Sequence, residues 1–104
     1  MSPKTQSVPR IIPVIQSETE LEPQFRVIIH NDDITPMDFV VAILARIFFV
    51  SGPEAVEIMY TAHYSGAAYV QTLPKTEAQN RIGRAHFAAG LEGNPLHFSM
   101  EPES

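Results

Sequence analysis

Cysteine is absent from this chain, and basic residues are few. Without cysteine, the protein can form no disulfide, thiolate metal site or cysteine nucleophile. No apolar run approaches the ~20 residues of a membrane-spanning helix, and residues 1–10 lack the apolar core of a secretory signal. Seven Lys and Arg stand against twelve Asp and Glu, and the net charge of −5 argues against a nucleic-acid backbone as partner. We therefore expect the protein to bind neither a membrane nor nucleic acid.

The common cofactor motifs are missing as well. The sequence contains no phosphate-binding loop, no Gly-x-Ser-x-Gly motif and no dinucleotide fingerprint. We predict that the protein uses no cofactor.

The length of 104 residues suits one domain with an extension. Four prolines within residues 1–24 leave no helical or strand period there. We predict a flexible, proline-rich N-terminal extension over residues 1–24 and a folded domain over residues 25–104. The extension contains one apolar patch, formed by Ile11, Ile12, Val14 and Ile15. This patch either lies on the surface of the domain or holds a partner.

Two hydrophobic periods, one typical of strands and one of helices, alternate along the domain. The predicted strands cover residues 25–30, 67–73 and 96–100. The predicted helices cover residues 36–50, 52–65 and 75–89. Ser51 and Glu54 form a capping box before the second helix, and Gly66 and Gly90 are expected to close the second and third helices. The order β-α-α-β-α-β predicts an α+β domain in which three helices cover a three-stranded sheet.

A polar turn, Asn31–Asp33, directly follows the first predicted strand. The next helix carries clear start signals, with Thr35 as N-cap, Pro36 in the first position and Asp38 as capping-box partner. The turn is therefore held between two rigid elements. Nothing nearby in the sequence neutralises its two carboxylates, so they either stay hydrated or bind a cation. The first functional hypothesis is a positively charged ligand group.

His63 lies near the end of the second predicted helix, at the edge of its inner face. One interpretation is a half-buried histidine that is hydrogen-bonded to a backbone carbonyl. The other is that the neutral ring lies near the polar turn and accepts a hydrogen bond from an ammonium group. Asn31 would then offer a carbonyl oxygen, and Asp32 and Asp33 would add negative charge. Charge-assisted bonds of this type contribute about 1.5–3 kcal/mol each.

Apolar residues flank both polar features. Met37 and Val40 follow the turn, Met59 and Ala62 precede the histidine, and Leu96 begins the last predicted strand. Such residues are usually part of the core. A hole between them, beside an ammonium-binding cluster, would recognise a free amino group that carries a hydrophobic side chain.

A divalent metal site is the alternative use of the same side chains. The available imidazole and carboxylate ligands belong to His30, Asp32, Asp33 and His63. The adjacent carboxylates diverge, however, and the sequence has no His-x-x-x-His or Glu-x-x-His pair. We predict no metal here, and we interpret His86 and His97 as isolated structural or solvated histidines.

The spacing of these motifs resembles that of the ClpS family, the adaptors that deliver N-degron substrates to the Clp protease. The resemblance covers about residues 25–103. It rests on Asn31-Asp32-Asp33-x-Thr35-Pro36-Met37-Asp38-Phe39-Val40, on Met59-x-x-x-His63-x-x-Gly66, and on Pro95-Leu96 and Glu101. The family implies a small antiparallel sheet packed against three helices, in agreement with the predicted order of elements.

The resemblance implies a role for each residue of the site. Asn31, Asp32 and His63 would hold the free α-amino group of a substrate's first residue, and Asp33 would support the turn. The bulky first side chain, from Leu, Phe, Tyr or Trp, would enter a hydrophobic pocket. The pocket would be lined by Thr35, Met37, Val40, Met59, Ala62 and Leu96. Met37 would exclude β-branched side chains, and the adaptor, a monomer, would catalyse nothing.

The resemblance also implies a partner, an ATP-driven Clp unfoldase of the ClpA or ClpC type, which the N-terminal extension would engage. Docking would involve Thr76, Glu77 and Arg81. Thr76 stands where the family usually has a glutamate, Arg81 keeps the charge of the usual lysine, and Glu77 is a possible substitute for the missing carboxylate. Ala62 replaces a larger residue, often valine, so the pocket is expected to be roomier. The implied location is the bacterial cytoplasm or the plastid stroma.

Two other functions remain open. One is a small metal- or carboxylate-dependent hydrolase that uses Asp32, Asp33 and His63. The other is a docking module that resembles the carboxy-terminal domain of a ribosomal stalk protein and has no terminal-amine pocket. An adaptor would bind a Phe-initiated peptide, lose it on N-acetylation and leave it uncleaved.

Overall fold

The computed structural model describes residues 22–104, so most of the predicted extension, including its apolar patch, lies outside the described residues. The strands are β1 (Gln24–His30), β2 (Ala67–Pro74) and β3 (His97–Pro102). The helices are α1 (Met37–Arg46), α2 (Gly52–Ser65) and α3 (Lys75–Leu91). The predicted order of elements and the antiparallel three-stranded sheet are confirmed. None of these helices has the length and apolar character needed to cross a membrane.

Strand β1 lies at the centre of the sheet, between β2 and β3. The register sets Ile29 opposite Ala68 on one side and opposite Phe98 on the other. Because alternate strand residues share a face, Val27 and Ile29 both point into the core and are buried. Strand β3 begins one residue later and ends two residues later than predicted. The helices pack on the buried face, where the ring of Phe48 stacks on Phe98 at 4.8 Å.

Helix α1 begins one residue after its predicted start, and the predicted capping box is wrong. Pro36 occupies the N-cap position, and no side chain caps the helix. The Thr35 hydroxyl instead donates to Asp32 Oδ2 (2.9 Å), and Asp38 Oδ1 accepts the N–H of Phe39. A carboxylate is a stronger acceptor than a hydroxyl, so the Thr35 hydroxyl donates to Asp32 and caps no N–H of the helix.

Helix α1 also ends four residues earlier than predicted, at Arg46. Phe48 is fully buried, and Phe49 adopts a φ of +58°, in the left-handed region. After this reversal the N–H of Val50 donates to the carbonyl of Leu44 (3.1 Å). The apolar period continues beyond the helix because the side chains of the turn still reach the core, although the backbone no longer follows a helix.

Helix α2 has its predicted bounds. Ser51 Oγ accepts the N–H of Glu54 (3.3 Å), as expected of the cap. Gly66 has a φ of +94° and donates its N–H to the carbonyl of Ala62, which closes the helix. The predicted inner face is buried and consists of Ala55, Ile58, Met59 and Ala62.

Helix α3 runs past Gly90, which was predicted to close it, and the residue that reverses the chain is Gly93, with a φ of +73°. The N–H of Gly93 donates to the carbonyl of Gly90, and the N–H of Asn94 donates to that of Ala89 (3.1 and 2.9 Å). These two bonds form a Schellman motif. Gly90 and Gly93 lie three residues apart at this end of the helix. The prediction that Gly90 closes the helix is wrong, because Gly93 does so.

Candidate functional site

A cavity of about 300 Å³ opens beside the C-terminal end of β1, the turn before α1 and the end of α2. Its volume is at the lower limit of typical ligand sites. It is lined by Ile29, His30, Asn31, Asp32, Asp33, Ile34, Thr35, Pro36, Met37, Val40, Met59, Ala62, His63 and Leu96. All the residues that the sequence analysis assigned to an amine site or its pocket are in this set, so the fold brings them together.

Asp32 organises the polar turn. Its Oδ1 accepts the N–H groups of Ile34 and Thr35 (2.8 and 2.7 Å), and its Oδ2 accepts the hydroxyl of Thr35 (2.9 Å). Burial alone would raise the pKa of the Asp32 carboxyl, but the hydrogen bonds from Thr35 and Ile34 outweigh burial and hold this pKa below its usual range. The carboxylate is therefore ionised at neutral pH. Among residues 22–104, Oδ2 accepts a single bond, so it keeps capacity for a ligand donor.

The turn itself is supported by a different aspartate than expected. The family resemblance implied this role for Asp33, but the hydrogen bonds of the turn go to Asp32, and Asp33 is exposed. Asp33 thus adds negative charge at the mouth of the cavity. The Asn31 N–H donates to the carbonyl of Gly66 (2.9 Å). This bond joins the turn to the end of α2, where His63 lies.

The side chain of His63 is exposed, not half-buried. Its ring packs edge-on against Tyr64, with centroids 4.8 Å apart and planes at 79°. Within residues 22–104, no hydrogen bond restrains the His63 ring, so the interpretation as a histidine bonded to a backbone carbonyl is not supported. A neutral ring in this position has one nitrogen with a lone pair available to a ligand donor.

The floor of the cavity is apolar and closed. Ala62, Leu96, Met59 and Val40 are 4%, 5%, 7% and 9% exposed, respectively. Met37, at 42% exposed, lies nearer the mouth. The cavity therefore combines a polar, negatively charged rim with a buried apolar floor, an arrangement that suits a ligand with a cationic end and a hydrophobic end.

Four lining residues were not predicted to belong to the amine site or its pocket, although His30 was considered as a metal ligand: Ile29, His30, Ile34 and Pro36. All four adjoin the polar turn in sequence, so contiguity with Asn31–Asp33 was the available signal. Ile34 is 71% exposed. An exposed isoleucine within a polar turn indicates that the rim, too, offers apolar contact to a bound chain.

The interpretation of His86 and His97 as isolated is wrong. Their rings stack at 5.4 Å, and the ring of His97 lies 5.2 Å from that of His30. His86 Nε2 accepts the N–H of Phe98 (2.9 Å), a backbone donor on the edge strand β3. Burial, together with repulsion from His97, lowers the pKa of His86. The bond requires an unprotonated Nε2, so His86 pairs the edge strand while it is neutral.

The grouping needed for the alternative metal site is not found. Across the part of the chain that the structure describes, no three His, Cys, Asp or Glu side chains are placed to hold a metal ion together.

The residues assigned to unfoldase docking lie on the first turns of α3 and do not line the cavity. Thr76 donates its N–H to the Glu22 carboxylate (2.9 Å), so a carboxylate does lie at this position, and it comes from Glu22. Arg81 Nε donates to Glu77 Oε2 (2.7 Å), and Arg81 Nη1 donates to Gln71 Oε1 (3.1 Å). The Arg81 side chain is only 17% exposed. Arg81 therefore belongs to an internal network and is not a free surface cation.

Known proteins are similar to this chain in both sequence and fold. Residues 20–99 match the family model described as ATP-dependent Clp protease adaptor protein ClpS. The chain is 42% identical to the adapter protein ClpS of Desulfatibacillum aliphaticivorans over 83% of each chain. It is 35% identical to adapter protein ClpS 1 of Rhodopseudomonas palustris, over 99% of this chain and 94% of the relative. The solved structure of Agrobacterium tumefaciens ClpS2 bound to L-phenylalaninamide is similar with a TM-score of 0.76 at 33% identity, covering 79% of this chain and 99% of that one.

Proposed function

The chain belongs to the ClpS family of ATP-dependent Clp protease adaptors, and from this premise we propose that it binds proteins with a bulky hydrophobic first residue and delivers them to a Clp unfoldase. The observation that carries the proposal is the pairing of a polar rim with a closed apolar floor in one cavity. L-Phenylalaninamide, the ligand of the Agrobacterium relative, has a free α-amino group and a benzyl side chain. It therefore matches both halves of this cavity.

The α-amino group of the substrate would bind at the rim. An ammonium group donates three hydrogen bonds, and the rim offers the side-chain carbonyl of Asn31, the unprotonated nitrogen of His63 and Oδ2 of Asp32. Hydrogen bonds that involve a charged group contribute about 1.5–3 kcal/mol each. Asp33, which is exposed, would act through its charge. Acetylation of the amine would remove the positive charge and two donors, so these contacts would be lost.

The first side chain would enter the apolar floor formed by Val40, Met59, Ala62 and Leu96. Full burial of a Leu or Phe side chain contributes about 1.5–3 kcal/mol, comparable to one of the rim contacts. Met37 lies nearer the mouth and would meet the β-carbon of the bound residue. A branch at that carbon would collide with Met37, which supports exclusion of Val and Ile.

The relatives are adaptors for a protease and not enzymes. We propose that this protein, as a monomer, likewise acts by binding alone, with an unfoldase of the ClpA or ClpC type as partner. Docking through the first turns of α3 is supported by two carboxylates there, Glu22 at Thr76 and the partly exposed Glu77. The N-terminal extension would engage the unfoldase during delivery, in the bacterial cytoplasm or the plastid stroma.

A titration with peptides that differ only in the first residue tests this function. We expect Phe-, Tyr-, Trp- and Leu-initiated peptides to bind, Val-, Ile- and Ala-initiated peptides to bind at least tenfold more weakly, and every peptide to remain intact by mass spectrometry. Affinity that does not depend on the first residue would contradict the proposal. Cleavage of the peptide would support the hydrolase instead. If no peptide bound, the remaining function would be the docking module, which has no amine pocket.

A further inference from the structure

Phe49, in the turn between α1 and α2, combines two unfavourable features. It is the one non-glycine residue within residues 22–104 that has a positive φ, +58°, and its side chain is 67% exposed. Left-handed backbone is strained for L-residues and is a clear outlier for a bulky one. Glycine or asparagine would satisfy the same turn with less strain. A phenyl ring that remains in water recovers little of this cost through burial.

The ring is nevertheless held in a fixed position. The Arg81 guanidinium lies 4.9 Å from the centroid of the Phe49 ring. Arg81 is in turn bonded to Glu77 (2.7 Å) and Gln71 (3.1 Å). Gln71 Nε2 donates to the carbonyl of Phe48 (3.1 Å), and Arg81 Nη1 donates to the same oxygen (3.4 Å). Side chains from β2 and α3 thus fix both the backbone before Phe49 and one side of its ring.

Backbone strain that the fold itself does not need is found mainly at functional sites. An exposed aromatic ring beside an arginine has the composition of a protein–protein interface, where aromatic residues and arginine are enriched. Phe49 does not line the substrate cavity, so the first residue of a substrate is not the occupant. Arg81, which contacts this ring, and Glu77, which is bonded to Arg81, are two of the three positions that the family resemblance assigns to unfoldase docking. The ring is therefore continuous with that docking surface.

We propose that Phe49 is the apolar anchor by which this adaptor docks on its Clp unfoldase. This inference rests on the delivery role proposed above. The matching surface of the unfoldase would hold an apolar recess for the phenyl ring, while Arg81 stays in its internal network and positions that ring. The family's usual glutamate is replaced here by Thr76. Phe49 would supply docking affinity in place of that missing glutamate.

The test uses Phe49→Gly and Phe49→Asn in the full chain, because both relieve strain and remove the ring. Docking is measured by anisotropy of labelled adaptor titrated with purified hexameric ClpA-type and ClpC-type unfoldases. We expect docking to the better-bound unfoldase to weaken at least tenfold, while Tm rises by about 4–8 °C. Phe87→Ala is the matched control, since Phe87 is similarly exposed (69%) while the cation–π contact of Arg81 is with Phe49. It should dock like the unchanged protein.

In the Phe49 variants the docking affinity should fall while Tm rises, so weaker docking cannot be explained by loss of folding. Docking at full strength by either Phe49 variant, or a fall in Tm, would overturn the inference, as would failure of the unchanged protein to bind either unfoldase. Affinity for a Phe-initiated peptide, measured on the same samples, should be unaltered by these variants. If the unchanged protein bound no such peptide, the proposed substrate site would be wrong, and this result is distinct from a failure of Phe49 to contribute to docking.

Discussion

Pocket size gives the sharpest prediction about substrate preference. Ala62 is 4% exposed and forms part of the cavity floor. A valine there would add two methyl groups, and each buried methylene-sized group is worth about 0.8 kcal/mol. In a rigid pocket the missing groups leave a void beside a Leu side chain, whereas a larger aromatic side chain fills it. We expect Phe- or Tyr-initiated peptides to bind more tightly than Leu-initiated ones by on the order of 1 kcal/mol, about fivefold.

The substitution Ala62→Val should narrow this gap by favouring leucine. The assay is a pair of titrations, with Phe- and Leu-initiated peptides of otherwise identical sequence, on each variant. Thr61→Val is the matched control, because it introduces the same side chain on the same helix at an exposed position outside the cavity. The ratio of affinities should not change in that control. Equal affinities for the two peptides, with no response to Ala62→Val, would refute the reasoning and indicate that the adaptable Met37 or Met59 fills the void.

Three further predictions concern the rim, the histidine pair and the extension. Asn31→Ala and His63→Ala should each weaken binding of a Phe-initiated peptide roughly tenfold or more at unchanged Tm; full-strength binding by both would contradict the amine site. The pKa of His86 is lowered in the folded state by burial and by His97, so protonation favours the unfolded chain. The free energy of unfolding should therefore decrease as the pH falls from above 6.5, the ordinary pKa of histidine, to below the pKa of His86 in the folded state. His86→Gln keeps an acceptor for the N–H of Phe98 but does not titrate, so the decrease should be smaller in this variant. Identical pH profiles of the variant and the unchanged protein in urea denaturation would contradict the role of His86. Removal of residues 1–21, which keeps Glu22 on Thr76, should leave peptide affinity intact and slow degradation of a Phe-initiated substrate by the cognate protease; degradation at the full rate would show that the extension has no delivery role.

The order of elements could be predicted because its signals are local, whereas the cavity joins three distant segments and its full membership was expected from the resemblance to the ClpS family. The strand before Asn31, the glycine after α2 and the apolar steps of each helix are all features of short segments. Where two local structures competed, the prediction was wrong. Thr35 is a good cap in isolation, but the Asp32 carboxylate offers its hydroxyl a charged acceptor. Likewise the apolar period favours helix through Phe48, while burial of that ring against Phe98 is achieved from a turn.

Contacts between distant elements left no trace in the sequence. His30, His86 and His97 lie on three different elements, and only the strand register and the packing of α3 bring their rings together. The network of Arg81 is similar, since its partners lie on β2, on α3 and in the turn after α1. The sequence indicated only that Arg81 keeps the charge of the family's usual lysine. Its low exposure results from tertiary packing that no local pattern reports.

The most direct test of the central claim compares L-phenylalaninamide with its N-acetylated form. The two molecules differ at the α-amino group alone, so the comparison isolates the rim from the apolar floor. Calorimetric titration should show saturable binding of the free amine at one site and affinity at least a hundredfold lower for the acetylated form, because at least two charge-assisted hydrogen bonds are lost. In NMR spectra the free amine should shift the backbone amides of Asn31, Asp33 and His63. Equal affinity for the two molecules, or shifts confined to amides outside the cavity, would contradict the account.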